Sequence, residues 1–245
     1  MAYIRTFFVS LGMYTRFPLK LKSKGEVSSR QLLIYLIAAG GIVGLLWKFL
    51  CDGMFFLGLP AVILSAVLGL FPYWVTGYLH LESFMETSAV ILSGRQGYGK
   101  AERHGAFGVI ALVVLFLLNF AGMYCFVEER RSSYLLLFIP LISRELTVLT
   151  LFLFPALSGE KYPGSDDPRK GQTTALLMLL FVLSALACVT LTGISGSLLI
   201  TAMIAGFLIS AFSAKAHAGL TGDTAGYALT LSETVGLLAL AIFRF

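Results

Sequence analysis

The chain has 245 residues, of which 58% are hydrophobic and only 13% charged, and its mean hydropathy is +0.87. A soluble domain carries about a quarter of its residues charged, so this composition excludes an ordinary soluble protein and indicates an integral membrane protein. The net charge of +5 comes from lysines and arginines scattered between apolar spans, a pattern that speaks for membrane topology and against a nucleic-acid partner.

In chain order, the opening "MAYIRTFFVSLGMYTRFPLKLKSKGE" lacks the short apolar core and small-residue cleavage site of a secretory signal, so it is expected to be retained. Apolar runs follow near 32–50, 54–79, 106–127, 134–155, 173–192, 195–214 and 225–244, each close to the 20 or so helical residues that cross a bilayer. The runs are continuous rather than alternating, so helices are expected and a barrel is not. The predicted fold is all-α: a polytopic membrane bundle of about seven transmembrane helices, with 1–245 as a single transmembrane domain. Cys51, Cys125 and Cys188 lie far apart without a CxxC spacing and read as inert thiols.

Seven spans put the two ends on opposite sides. The amino-terminal segment and the connections at 80–105, 156–172 and 215–224 hold thirteen of the lysines and arginines, whereas the other side holds Lys48, Arg130, Arg131 and Arg244, with Arg144 inside a span. The positive-inside rule then places the amino terminus in the cytoplasm. The expected location is the cell (inner) membrane, with His80, Glu82, Glu86, Glu102, His104, His217 and Asp223 all on the cytoplasmic side.

Within "HLESFMETS" (80–88), Glu82 and Glu86 are four residues apart and share one face of a helix, where two carboxylates repel unless a proton or cation intervenes. A hard divalent cation such as Mg²⁺ suits such oxygen ligands; the alternative is that both simply face interfacial water. "SGRQGYGKAERHGAFG" (93–108) mixes five glycines with Arg95, Lys100 and Arg103 directly before the next span. That combination fits a phosphate site, though its glycine spacing matches neither a P-loop nor a dinucleotide fingerprint; the alternative is a flexible cytoplasmic loop whose charges set topology. Asp223, between Gly222 and Thr224, either completes a metal site or caps the helix that follows. Glu233 lies deeper in the same span, and Arg144 in "SRE" (143–145) either pairs with a buried acid such as Glu233 or contacts substrate. Small-residue stretches, "AAGGIVG" (38–44) and "GISGS" (193–197), permit close helix packing within or between chains, so a homo-oligomer is left open.

Together these stretches resemble the cobalamin synthase family, the membrane-bound adenosylcobinamide-GDP ribazoletransferases. Family members show "TR-x-P", "HLDGLADTADG", "KDSRIGTFG", a central "SR" and a late "TGD-x-x-G" followed by a glutamate. Here these read "TRFP" (15–18), "HLESFMETSAV" (80–90), "KAERHGAFG" (100–108), "SR" (143–144) and "TGDTAG" (221–226) with Glu233. Glu82 and Glu86 stand where the family motif has its first two aspartates, Ser83 replaces a glycine, Ala89 the third aspartate and Ala101 a further one. Either Glu102 substitutes, fewer ligands suffice, or the chain is a divergent member.

The resemblance implies transfer of the phospho-cobinamide group of adenosylcobinamide-GDP to α-ribazole or its 5′-phosphate, with GMP leaving. It implies Glu82, Glu86 and Asp223 as Mg²⁺ ligands and His80 as a general base or hydrogen-bonder. Lys100 and Arg103 would hold the pyrophosphate, and Arg144 would touch substrate or balance a buried acid. Two other readings stand beside it: another membrane phosphotransferase with a nucleotide-activated donor, whose DGxxAR motif the chain lacks, and a non-catalytic corrinoid-binding or transport protein.

Overall fold

The computed structural model of the chain describes residues 2–16, 29–93, 105–153, 170–218 and 222–243. Every element among them is a helix: α1 (Ala2–Tyr14), α2 (Ser29–Phe56), α3 (Ala61–Val75), α4 (Leu79–Ser93), α5 (Ala106–Glu128), α6 (Tyr134–Leu153), α7 (Lys170–Thr192), α8 (Ile194–Ala218) and α9 (Gly222–Ile242). Six of them, α2 and α5 to α9, are long and apolar enough to cross a membrane, and α3 with α4 forms a further pair bent by 93°. The polytopic bundle is as expected.

Burial follows composition. α6 and α9 carry the buried charged residues Arg144, Glu145 and Glu233 and are the most enclosed of the candidate spans. α5 and α7 point Val109, Val113, Leu117, Leu179, Leu183 and Leu186 outward, as helices facing lipid do. Trp47, Met123, Phe126, Leu136 and Ile139 lie at the centre of the largest apolar cluster. "AAGGIVG" packs within the chain: a methyl group on Gly44 would overlap the Leu137 carbonyl oxygen, and one on Gly40 would overlap the Arg144 side chain and the Pro140 carbonyl, so glycine lets α2 lie directly on α6. In "GISGS", Gly193 at φ 63° makes the turn from α7 to α8, and Ile194–Ser197 begin α8.

Two features differ from the sequence expectation. The amino-terminal segment forms a helix, α1, that packs on α2 with Phe7 edge-on to Tyr35 at 5.6 Å. The predicted span 54–79 is also divided, since α2 runs on to Phe56, the chain turns at 57–60, and α3 occupies only Ala61–Val75. Its 15 residues reach roughly 22 Å, short of the ~30 Å hydrocarbon core.

Local chemistry ends α3. Thr76 turns its hydroxyl back to the Pro72 carbonyl at 2.9 Å. The N–H groups of Gly77 and Tyr78 donate to the carbonyls of Trp74 (3.2 Å) and Tyr73 (2.9 Å), the paired bonds of a Schellman cap. Gly77 and Tyr78 both take the left-handed backbone, φ 65° and 64°, and two such residues in succession redirect the chain. The Tyr78 carbonyl then accepts from the N–H groups of Leu81 and Glu82 at 2.9 and 3.2 Å, which starts α4 at a right angle. α4 crosses the first turns of α5 and α9, where glycines permit contact: a Cβ on Gly108 would sit 2.9 Å from the Met85 carbonyl oxygen, and one on Gly226 would sit 2.7 Å from Ser83 Cβ.

Candidate active site

The crossing of α4 and α9 builds the site. Ser83 Oγ donates to Asp223 Oδ1 at 3.4 Å, joining positions 140 residues apart in sequence. Asp223 lies in the first turn of α9 and is exposed, where the positive end of the helix favours its carboxylate. Glu82 is exposed in the first turn of α4, and Glu86 is half-buried one turn further. Thr230 of α9 brings its hydroxyl to the His80 carbonyl at 3.4 Å, and Phe84 stacks on Tyr227 with centroids 5.5 Å apart. These contacts fix α4 in rotation as well as position.

His80 sits at the inner edge of this crossing. Its Nδ1 would lie 4.0 Å from a Cβ on Gly226, and its Nε2 is buried without a hydrogen-bond partner among the described residues. A buried polar atom left unpaired is costly, so the arrangement suits a nitrogen that meets its partner when substrate binds.

Beneath the site runs a buried polar layer. Arg144 of α6 donates to Glu233 Oε1 of α9 at 2.5 Å, and Ser143 Oγ donates to the same oxygen at 2.6 Å. Arg144 also donates to the Pro140 carbonyl at 3.0 Å, and the residue is only 2% exposed. Asn119 Nδ2 donates to Thr234 Oγ1 and to the Leu115 carbonyl, both at 2.9 Å, and Tyr73 shares hydrogen bonds with both Asn119 and Thr234. The charges in this layer compensate one another inside an apolar bundle, the condition under which buried ions persist.

Of the sequence candidates, His80, Glu82, Glu86 and Asp223 come to one end of the bundle. Lys100 and Arg103, like Glu102 and His104, lie outside the described residues. Arg144 balances a buried acid, the second of its two expected roles. Among the described residues no three His, Cys, Asp or Glu side chains stand close enough to hold a metal ion together, so Glu82, Glu86 and Asp223 share one end of the bundle without forming a metal cage. Ala89, at the position of the family's third aspartate, is 2% exposed and packed in the core. Ser83 and Thr230 tie α4 to α9; in sequence Ser83 was noted only as standing in place of a glycine and Thr230 was not singled out.

A family model described as cobalamin-5-phosphate synthase matches residues 6–241. An adenosylcobinamide-GDP ribazoletransferase of Clostridium perfringens (strain SM101) is 30% identical over 241 residues, covering 96% of each chain. Proteins of the same name from Clostridium botulinum (strain Alaska E43) and Acinetobacter baumannii (strain ATCC 17978) are each 28% identical, over 244 and 255 residues, covering 96% and 98% of both chains. No solved structure matches the chain.

Proposed function

Because the chain belongs to the cobalamin-5-phosphate synthase family, we propose that it transfers the phospho-cobinamide group of adenosylcobinamide-GDP to α-ribazole or its 5′-phosphate, the nucleotide-loop assembly step of cobalamin synthesis. The observation that carries this reading is the crossing of α4 and α9, which unites "HLESFMETS" and "TGDTAG" through Ser83 and Asp223 at one end of a membrane bundle.

In the reaction, a ribose hydroxyl oxygen of the acceptor bonds to the phosphorus on the cobinamide side. The bond from that phosphorus to the bridging oxygen of the guanosine half breaks, and GMP leaves with its electrons. His80 Nε2, unpartnered at the inner edge of the site, takes the hydroxyl proton as general base. Lys100 and Arg103 would neutralise the pyrophosphate, in keeping with the demand of phosphoryl transfer for positioning and charge compensation.

One or two of Glu82, Glu86 and Asp223 would hold Mg²⁺ at a time, because the three do not stand close enough to hold an ion together. Their donors are all carboxylate oxygens, the kind this ion takes, and an open arrangement suits an ion usually bound through one or two carboxylates, with water and substrate phosphate at its other positions. When bound, it neutralises charge on the phosphoryl oxygens. The remaining assignment is orientation: the thirteen-to-four distribution of basic residues supports a cytoplasmic amino terminus and a site open to the cytoplasm of the cell membrane.

The test is an assay of membranes containing the chain with adenosylcobinamide-GDP, α-ribazole and Mg²⁺, following adenosylcobalamin and GMP. Equal formation of both products is expected. Corrinoid binding without GMP release would replace this reading with the non-catalytic one.

A further inference from the structure

The end of the bundle remote from α4 holds a second cleft. It lies between the α2–α3 turn and the end of α5, has a volume of about 310 Å³, and is walled by Phe55, Leu59, Leu64 and Val127 with Glu128 and Arg130 at its rim. α5, with 23 residues, separates this level from that of α4 by roughly 34 Å, so the cleft belongs to the opposite membrane interface and takes no part in the reaction proposed above.

The charges in and next to the cleft rim divide into two kinds. Arg131 is committed to structure, pairing with Glu129 at 2.6 Å and bonding Ser195 Oγ and the Phe243 carbonyl at 3.2 and 2.8 Å. Glu128 and Arg130 are exposed and make no ion pair among the described residues. The Arg130 guanidinium lies over the Phe55 ring at 5.9 Å from its centroid, close enough for a cation–π contact that steers it toward the cleft.

The backbone beneath Arg130 gives a second, independent sign. The N–H groups of Arg130 and Arg131 donate to the carbonyls of Val127 and Phe126, both at 3.1 Å, forming a Schellman cap with Arg130 at the left-handed position, φ 47°. Glycine is the residue that fits this position without strain. An arginine there retains a side chain at a conformational cost, and a strained residue beside a cleft points to a ligand for that side chain.

We propose that this cleft holds the headgroup of a single zwitterionic phospholipid of the phosphoethanolamine class. The phosphate meets Arg130 and the ammonium meets Glu128. The acyl chains run over the exposed apolar stripe of Ile63, Val67 and Leu70, which begins in the same turn of α3 as Ala61 at the cleft wall. A lipid with a purely anionic headgroup leaves Glu128 facing negative charge, so the paired rim charges select the zwitterion.

The experiment reconstitutes the full chain in nanodiscs of equal phosphatidylethanolamine and phosphatidylglycerol and measures retained lipid by native mass spectrometry. The unmodified protein is expected to keep one phosphatidylethanolamine in at least tenfold preference to phosphatidylglycerol. Arg130→Gly suits the left-handed turn, so it leaves the melting temperature unchanged or raised while abolishing the retained lipid. Glu128→Gln retains a lipid and loses the preference. The same retained lipid in all three proteins, or no headgroup preference in the unmodified one, overturns the proposal.

Discussion

Removing the carboxylate of Glu233 isolates a buried cation, and the size of the effect follows from its surroundings. Arg144 is 2% exposed and Glu233 6%, and Glu233 Oε1 accepts from both Arg144 and Ser143. Glu233→Gln keeps an oxygen for Ser143 and nearly the same volume but deletes the charge opposite the guanidinium. Breaking a buried pair on one side typically costs about 3–5 kcal/mol, whereas replacing both partners by apolar groups is often close to neutral. For a chain of this size the single change corresponds to a fall of roughly 6–20 °C in melting midpoint. The assay is the thermal stability of purified protein in detergent for Glu233→Gln, Arg144→Met and the double variant. The double is expected to be more stable than either single, with a coupling of several kcal/mol. Losses that simply add would show that the two side chains do not compensate each other and would refute the reasoning.

Three further outcomes are expected. Asp223→Asn should abolish product formation while the protein still accumulates in the membrane, because the amide keeps an acceptor for Ser83 and loses the charge; unchanged turnover would leave Asp223 with only its helix-end role. Glu82→Gln with Glu86→Gln should remove the Mg²⁺ dependence of turnover and lower kcat/KM by at least a hundredfold, the scale of losing an electrostatic partner of a transferring group; retained dependence would take both glutamates out of metal binding. Engineered cysteines at 95–100 and at 165–169 should react with an impermeant reagent only after the membrane is opened, and labelling of intact cells would reverse the proposed orientation.

The apolar runs made the spanning helices legible, because a bilayer demands length and continuity and α5 to α9 supply both. The break after Val75 was hidden for the same reason: 54–79 is apolar throughout, and hydropathy does not register backbone handedness at Gly77 and Tyr78. Arg144 and Glu233 announced a pairing, since two charges inside spans need compensation, and their contact follows from little else. The meeting of Ser83 with Asp223 depends on how α4 turns after α3 and on the glycines that admit it, and no spacing within either motif encodes that approach. Glu145 went unweighed beside Arg144, yet it is buried on the α7 side of α6, with Ser184 donating to it at 2.7 Å.

The joint at Thr76–Tyr78 acts as a phase setter. Because α4 begins from the Tyr78 carbonyl, and the Tyr78 N–H is bonded back to Tyr73 of α3, the joint sets the azimuth at which Glu82 and Glu86 leave α3, and the contacts of α4 with α9 hold it. One residue more or less in the joint would rotate every α4 side chain by about 100°, leaving the apolar spans unchanged while turning Ser83 away from Asp223. Substitutions at the acidic positions, such as glutamate for aspartate, alter reach alone. Length at the joint is therefore the quantity this architecture cannot vary, and side-chain identity at the site is the one it can.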